Sequence, residues 1–419
     1  MNQLAALTAF EFRKITGRKI VWIAGGIILL LCVFLSISDL ISYSAYSQSR
    51  ESESSGWELM KTYQQNARAL SGEKIDDALL QDMQQSFSRE ETSSEDSLHI
   101  IDSSTGSQTV IESGGNTEDD TDSDILAYTP IDTYLSRIVA DDAERRHISA
   151  GDFYQERNTM ISDNRRDQQL EQGELEYWQQ KDSQLSVPFI YEYNDGWSNL
   201  WEYATTLNFM LLLFLTICLS SLFSTEYTRR TDAVIFCCRY GRRHLFLAKL
   251  LAGILFGLAA AILLFGVTLL CSLGIYGTDG FHSTLQVAFP LATRTLPLGT
   301  SVGLLFLLFL ILAILYSAGI LFLSETLKNS IAVMAIPVSI MILSTLIDIP
   351  YQFRTASQIF DFLPTNLFAV WELWDDRLIS IFGNYVTNFQ FAPLVYLLAA
   401  FLLILLTERS YRKYQVTGR

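Results

Sequence analysis

The charged residues that stand out by type and spacing lie in one stretch, residues 224–250, reading STEYTRRTDAVIFCCRYGRRHLFLAKL. Arg229, Arg230, Arg239, Arg242, Arg243 and Lys249 crowd it, and its only acids are Glu226 and Asp232. Bases at this density suit an electrostatic contact, in which complementary charge sets register and partner choice. They also suit the fixing of topology and attraction to anionic lipid, worth about 1 kcal/mol per base near a membrane surface. Topology alone needs fewer of them, so the excess points to a docking partner. Other chemistry lacks its groups. No G-x-x-x-x-G-K-[ST] phosphate loop occurs, and Gly17-Arg18-Lys19 lacks both the first glycine and the hydroxyl. His99, His147, His244 and His282 stand apart, without metal-ligand spacing or a G-x-S-x-G elbow elsewhere in the chain. The run EDDTDSD at 118–124 offers carboxylates but not the glycine and closing glutamate of a calcium loop, and reads as a solvated charge run. The expectation is therefore no intrinsic catalysis and no cofactor or metal bound by this chain.

The elements that must position the basic stretch are apolar. The chain has 419 residues, 49% of them hydrophobic and 12% aromatic. A membrane-spanning helix needs about 20 largely apolar residues, and six runs qualify: 20–41, 204–223, 250–273, 298–323, 331–349 and 392–406, the last extended by Phe389 and Phe391. The run at 20–41 is too long for a signal peptide, whose apolar region covers about 7–15 residues. Acids are scarce inside these runs, with Asp39 and Asp348 at their ends, so no mid-membrane proton or sodium relay is evident.

Charge divides the chain. Residues 42–203 hold 33 Asp and Glu against 12 Lys and Arg, whereas the remainder holds 12 acids and 18 bases. An acidic domain is thus inserted into a mildly basic membrane protein, and nucleic-acid binding is not suggested. None of the five cysteines lies in that domain, so a disulfide framework is excluded there. Arg13, Lys14, Arg18 and Lys19 precede the first run, Lys328 follows the fourth, and Arg409, Arg412 and Lys413 follow the sixth. With the stretch 224–250 these bases place both termini in the cytosol and the acidic domain outside. The absence of any N-x-Ser/Thr acceptor fits a bacterial plasma membrane.

The predicted organisation follows in order. Residues 1–19 form a cytosolic amphipathic helix with Leu4, Leu7, Phe10 and Lys14 on one face. Residues 20–41 are the first span. Residues 42–203 form a helical domain, with Met60, Tyr63, Ala67 and Leu70 in one helix and Ile75, Leu79 and Met83 in the next. Ile131, Tyr134, Leu135 and Ile138 follow in a helix opened by Pro130. A long polar helix covers 153–185, and the composition near 88–124 predicts flexibility around a small hairpin at 98–111. Tyr191, Tyr193, Trp197 and Trp201 read as a collar at the membrane interface. Residues 204–407 hold spans two to six, with the basic loop at 224–249, a Pro337 kink in the fifth span and an aromatic segment at 349–390. That segment is too polar to span and too apolar to float free. With Phe353, Phe360, Phe362, Pro364, Phe368 and Trp371 it predicts a pair of short helices dipping into the outer leaflet. Residues 408–419 are a cytosolic tail. The fold class is mainly α, a polytopic membrane protein of six spans.

Six spans, an amphipathic N-terminal piece and a basic loop after the second span resemble the type-2 ABC transporter permeases. The residues that carry the likeness run from Glu226 through Arg229, Arg230, Asp232 and Arg239 to Tyr240-Gly241-Arg242-Arg243 and Lys249, together with the broken segment between spans five and six. Cys237-Cys238-Arg239 departs from the proline-containing turn common in that family, and residues 42–203 are unmatched. The resemblance implies a membrane subunit paired with a second permease chain as a homo- or heterodimer. It also implies a separate ABC ATPase, holding ATP and Mg, docked on the basic loop, and export of an amphiphilic or peptide-like substrate. The alternative is a mechanotransmitting or sensing protein whose outer domain grips a partner while nothing crosses the membrane. A membrane enzyme using the outer carboxylates finds no motif that fixes a pair of them.

Overall fold

Where water is scarce a backbone must satisfy its own N–H and C=O groups, and long runs of Leu, Ile, Ala and Phe do so as helices. The computed structural model describes residues 2–38, 56–96, 118–228, 243–381 and 383–413. Over these the chain is mainly helical, with one two-stranded antiparallel ribbon. The first two helices are α1 (Asn2–Thr16) and α2 (Lys19–Ser36). The inserted domain holds α3 (Gly56–Ala69), α4 (Asp77–Asp96), α5 (Glu118–Leu135), α6 (Asp142–Arg145), α7 (Ala150–Asp167), α8 (Gln172–Asp182) and α9 (Asp195–Glu202). Then come α10 (Ala204–Leu219), α11 (Ser221–Thr228), α12 (His244–Tyr276), α13 (Leu285–Ala288), α14 (Leu298–Leu327) and α15 (Ser330–Leu346). The chain continues through α16 (Arg354–Asp361), α17 (Pro364–Leu367), a 3₁₀ turn (Val370–Trp374), β1 (Ile379–Ile381), β2 (Asn384–Val386) and α18 (Asn388–Lys413).

Five segments are long and apolar enough to cross a membrane: Lys19–Ser36, Ala204–Tyr227, His244–Tyr276, Leu298–Leu327 and Asn388–Lys413. The chain thus has the helices of a membrane protein. The sixth expected span corresponds to α15, which has 17 residues with Pro337 inside it. At 1.5 Å per residue that is about 26 Å, against a hydrocarbon core of about 30 Å. α14 packs against α10, α12, α15 and α18 and forms the middle of the bundle. Its crossing with α12 is close because Gly253 and Gly257 expose backbone there; a Cβ at Gly257 would overlap the Ser317 hydroxyl.

Several expectations shift. α1 lies against α12 rather than presenting its Leu4–Leu7–Phe10 face to lipid alone. Phe10 is 64% exposed, while Thr8, Glu11 and Ile15 are buried and Phe12 stacks on Phe256. The helix expected to open at Pro130 begins at Glu118 and carries the proline inside it. The polar helix expected over 153–185 is broken into α7 and α8 by a turn in which Gln169 takes φ 54°. Helix also reaches Asp96 and resumes at Glu118, within the stretch expected to be flexible, and the hairpin at 98–111 lies outside the described residues. The apolar spacing of the inserted domain does form its core: Ile75, Leu79, Met83, Ile131, Tyr134, Leu135 and Ile138 are all buried together with Phe153 and Phe189. Tyr191, Tyr193 and Trp201 are buried too, and Trp197 stacks on Phe281, so the expected collar is a joint between domain and bundle.

The segment 349–390 contains the short helices α16 and α17 and, beyond the expectation, the ribbon β1–β2. Its irregular backbone is capped by side chains from the long helices. Asn208 Nδ2 donates to the Pro364 carbonyl at 3.0 Å, Thr205 Oγ1 to Phe368 at 2.9 Å, and Tyr396 OH to Phe362 at 3.0 Å. Asn208 Oδ1 in turn accepts from Tyr316 OH at 2.6 Å. These bonds satisfy the condition under which non-helical backbone is tolerated at membrane depth. An Asn208→Leu substitution strands the Tyr316 hydroxyl and leaves the Pro364 carbonyl only its 3.3 Å bond from Phe368 N, and loss of about 1–3 kcal/mol is expected. Thermal unfolding in detergent measures it; an unchanged midpoint would show that water already serves both groups.

Candidate functional site

At one end of the bundle, charged residues from three helices converge. The α11 and α12 helices extend into the expected loop 224–249, so Glu226 and Lys249 sit on helix and not on loop. Lys249 Nζ lies 2.5 Å from Glu226 Oε1, donates to the Leu222 carbonyl at 3.2 Å, and sits 4.8 Å above the Phe223 ring. Lys14 of α1 reaches Glu226 at 3.6 Å and Glu11 at 3.4 Å. Beside them Tyr227 OH donates to both Glu325 carboxylate oxygens at 2.8 Å, and Lys328 stacks over the Tyr227 ring. Arg18, just before α2, donates to Ser221 Oγ and the Cys218 carbonyl.

Lys249 is fully buried, so its charge faces Glu226 and not a partner. Arg243, at the start of α12, is exposed. Arg229, Arg230, Asp232, Arg239 and Arg242 lie outside the described residues. Of the eight residues expected at a docking surface, the structure therefore joins Glu226 to Lys249 and leaves Arg243 available.

A second charged network lies at the opposite end of α12 and α14, where the inserted domain meets the segment 349–390. Arg377 is fully buried. It donates to Asp375 Oδ1 at 3.0 Å and Oδ2 at 2.5 Å, to Ser357 Oγ at 2.6 Å, and to Asp361. Asp376 accepts from Arg165 of α7 at 2.6 Å and from Thr293 Oγ1 at 2.6 Å, while its carbonyl accepts from Trp178 Nε1 of α8 at 2.6 Å. Arg354 holds Glu174 at 2.5 Å, and Arg294 donates to the Glu372 carbonyl at 2.9 Å. Asn388, the first residue of α18, donates to Glu372 Oε1 at 2.9 Å. Burial raises the Glu372 carboxyl well above the ordinary range, with Asp375 adding to the effect. Burial likewise lifts Asp361 to about 6 against the opposing Arg377 charge.

Of the expected aromatic segment, Phe368 is buried against Phe309, and Phe362 stacks edge-on to Phe391. Pro364 is held through its carbonyl, Phe360 and Trp371 are half-buried, and Phe353 is 64% exposed. Sequence reasoning missed Arg165, Asp361, Asp375, Asp376 and Arg377. The signal for the last three was present in WELWDDR, where consecutive charges interrupt an aromatic run; charges are rarely buried there unless paired. Among the described residues no group of three or more His, Cys, Asp or Glu stands close enough to hold a metal. No protein-family model, curated protein or solved structure matches the chain.

Two outcomes test these networks. Lys249→Met removes the ammonium group 2.5 Å from a nearly buried carboxylate, and destabilisation of about 3–5 kcal/mol is expected. Adding Glu226→Gln restores part of that loss in thermal unfolding; a double variant no more stable than the single would refute the pairing. Glu372 gives a pH test. Its folded pKa is raised above the ordinary 4.5, so in that window the folded chain binds more protons than the unfolded one, and stability falls as pH rises. Glu372→Gln mimics the protonated acid, and its unfolding midpoint should drop less than that of the parent between about pH 5 and about pH 8. Equal slopes would assign the carboxylate to the charged form.

Proposed function

We propose that the chain is the permease subunit of an ATP-driven type-2 ABC exporter, dimeric and powered by a separate ATPase docked between α11 and α12. In this reading α15 completes six spans, made long enough by its continuation toward Asp348, and both termini with their flanking bases are cytosolic. The observation that carries it is the buried Glu226–Lys249 pair with Lys14 beside it. One ionic contact ties the end of the second span, the start of the third and the N-terminal helix, the two spans being those that the basic stretch connects in sequence. A push on that stretch would then be shared by three helices at once. The exposed Arg243 and the neighbouring arginines supply the charge for a transient subunit contact. ATP and Mg belong to the partner, and the cargo is an amphiphilic or peptide-like molecule.

One feature favours the mechanotransmitting alternative. The far end of α12 is gripped by the inserted domain: Gln64 Nε2 donates to the Ile275 carbonyl at 3.3 Å, and Arg68 to Tyr276 at 3.1 Å. Arg68 also pairs with Asp279 at 2.9 Å. Motion of α12 would reach the domain whether or not a molecule crosses the membrane.

Co-purification with the ATPase encoded in an adjacent reading frame, followed by ATP turnover, tests the docking. Arg242→Glu combined with Arg243→Glu should lower association by about tenfold or more, equivalent to at least about 1.4 kcal/mol. Unchanged association and turnover would reject the docking role. Gln64→Ala with Arg68→Ala then separates the readings. Retained export makes the domain accessory, whereas lost output with normal ATP turnover favours transmission.

A further inference from the structure

A cavity of about 450 Å³ lies between α8, the outer turns of α14 and the start of α18. That volume falls within the range of small-molecule sites, about 300–1,000 Å³. Its two ends differ in chemistry. One wall is the helical stripe Leu304, Leu307 and Leu308 of α14, closed by Pro393 of α18. Leu304 and Leu307 are 52% and 53% exposed, so this wall is open on its side. The other end carries Lys181 and Arg294, and no Asp or Glu lines the cavity.

The charge at that end has no carboxylate in direct contact. Among the described residues neither Lys181 nor Arg294 has a carboxylate within salt-bridge distance, although the inserted domain is strongly acidic. The nearby acids are engaged elsewhere: Arg165 holds Asp182 and Asp376, Arg377 holds Asp375, and Glu372 accepts from Asn388. Arg294 Cζ lies 4.7 Å from the centre of the Phe389 ring and its two terminal nitrogens donate to the Glu372 and Asp375 carbonyls, while its Nε is buried with no hydrogen-bond partner. A buried donor left unpaired carries a desolvation penalty, and an incoming anionic oxygen removes it. Lys181 stands over Tyr177 at the same rim.

We infer that this cavity binds an anionic amphiphile with a single alkyl chain, drawn from the membrane leaflet beside the inserted domain. The headgroup oxygens sit between Lys181 and Arg294, and the chain lies along Leu304, Leu307 and Leu308. The open leucine wall is the path from lipid, because an alkyl chain can slide in there without crossing a polar barrier. This assignment concerns binding by the chain alone and does not depend on the ATPase reading above.

The test uses the full-length chain in nanodiscs of zwitterionic lipid, titrated with radiolabelled dodecyl phosphate. Saturable binding of one molecule per chain is expected, with dodecyl maltoside and inorganic phosphate each competing about tenfold more weakly or worse, about 1.4 kcal/mol or more. Lys181→Glu should weaken binding by at least about the same factor, and Leu304→Trp, which fills the tail wall, should abolish it. Both positions are partly exposed, so the unfolding midpoint serves as the control for folding. Equal competition by the maltoside would mean that the tail alone is recognised, and equal competition by inorganic phosphate would mean a free-phosphate site; either overturns the proposal. So does uptake that scales with lipid content without saturating, or binding that neither variant changes.

Discussion

Removing a charge from water is so unfavourable that a protein which buries one must arrange its surroundings around it. Arg377 is the clearest case. Its guanidinium is fully buried, and Asp375, Asp361 and Ser357 are positioned by that fact. Asp361 and Ser357 precede the arginine by 16 and 20 positions, so the arginine folds the irregular segment back on itself. The next residue along, Asp376, then faces Arg165, Trp178 and Thr293, which brings in α7, α8 and the loop before α14. Net stabilisation from such a set can be small. Its geometric consequence is large, because any arrangement that leaves one member unpaired is heavily disfavoured.

The same logic operates at the other end with fewer residues. Lys249 can stay buried in an apolar helix because Glu226 and the Leu222 carbonyl meet it. Between the two ends the helices hold one another by shape. Gly253 and Gly257 let α12 approach α14 closely, and Asn208 reaches out of α10 to the Pro364 carbonyl at the start of the short α17. Polar contacts thus fix the ends and the broken segment, while apolar packing fixes the middle.

Much of this was legible in the sequence where a single residue type or period dominates. The apolar runs announced the long helices, because spanning length and composition are local properties. The core of the inserted domain followed from 4-residue spacing at Ile75, Leu79 and Met83 and from 3- and 4-residue spacing at Ile131, Tyr134, Leu135 and Ile138. What local pattern cannot carry is the identity of a distant neighbour. The face that α1 buries depends on Phe256, some 240 positions away. Arg165 and Asp376 are separated by 211 positions, and nothing near either one hints at the other. Helix boundaries failed for a related reason. Lys249 was counted as loop because a lysine ends an apolar run, yet its ammonium has a partner that lets the helix begin earlier. Pro130 was read as a start because prolines favour first turns, and here the helix accommodates it inside.

The uninterrupted length of α12 has a mechanical meaning. Its 33 residues make a rod of about 50 Å, with the Glu226–Lys249 pair near one tip and Gln64 and Arg68 holding the other. The near end is therefore a short arm and the far end a long one whenever the rod pivots at the Gly257–Ser317 crossing, which lies closer to Lys249 than to Tyr276. A tilt of about 10° about that crossing carries the far tip roughly 5 Å, more than it moves the near one. In such a tilt the glycines that permit close packing would also set the pivot, and its off-centre position would turn a small displacement at the near tip into a larger one at the far tip.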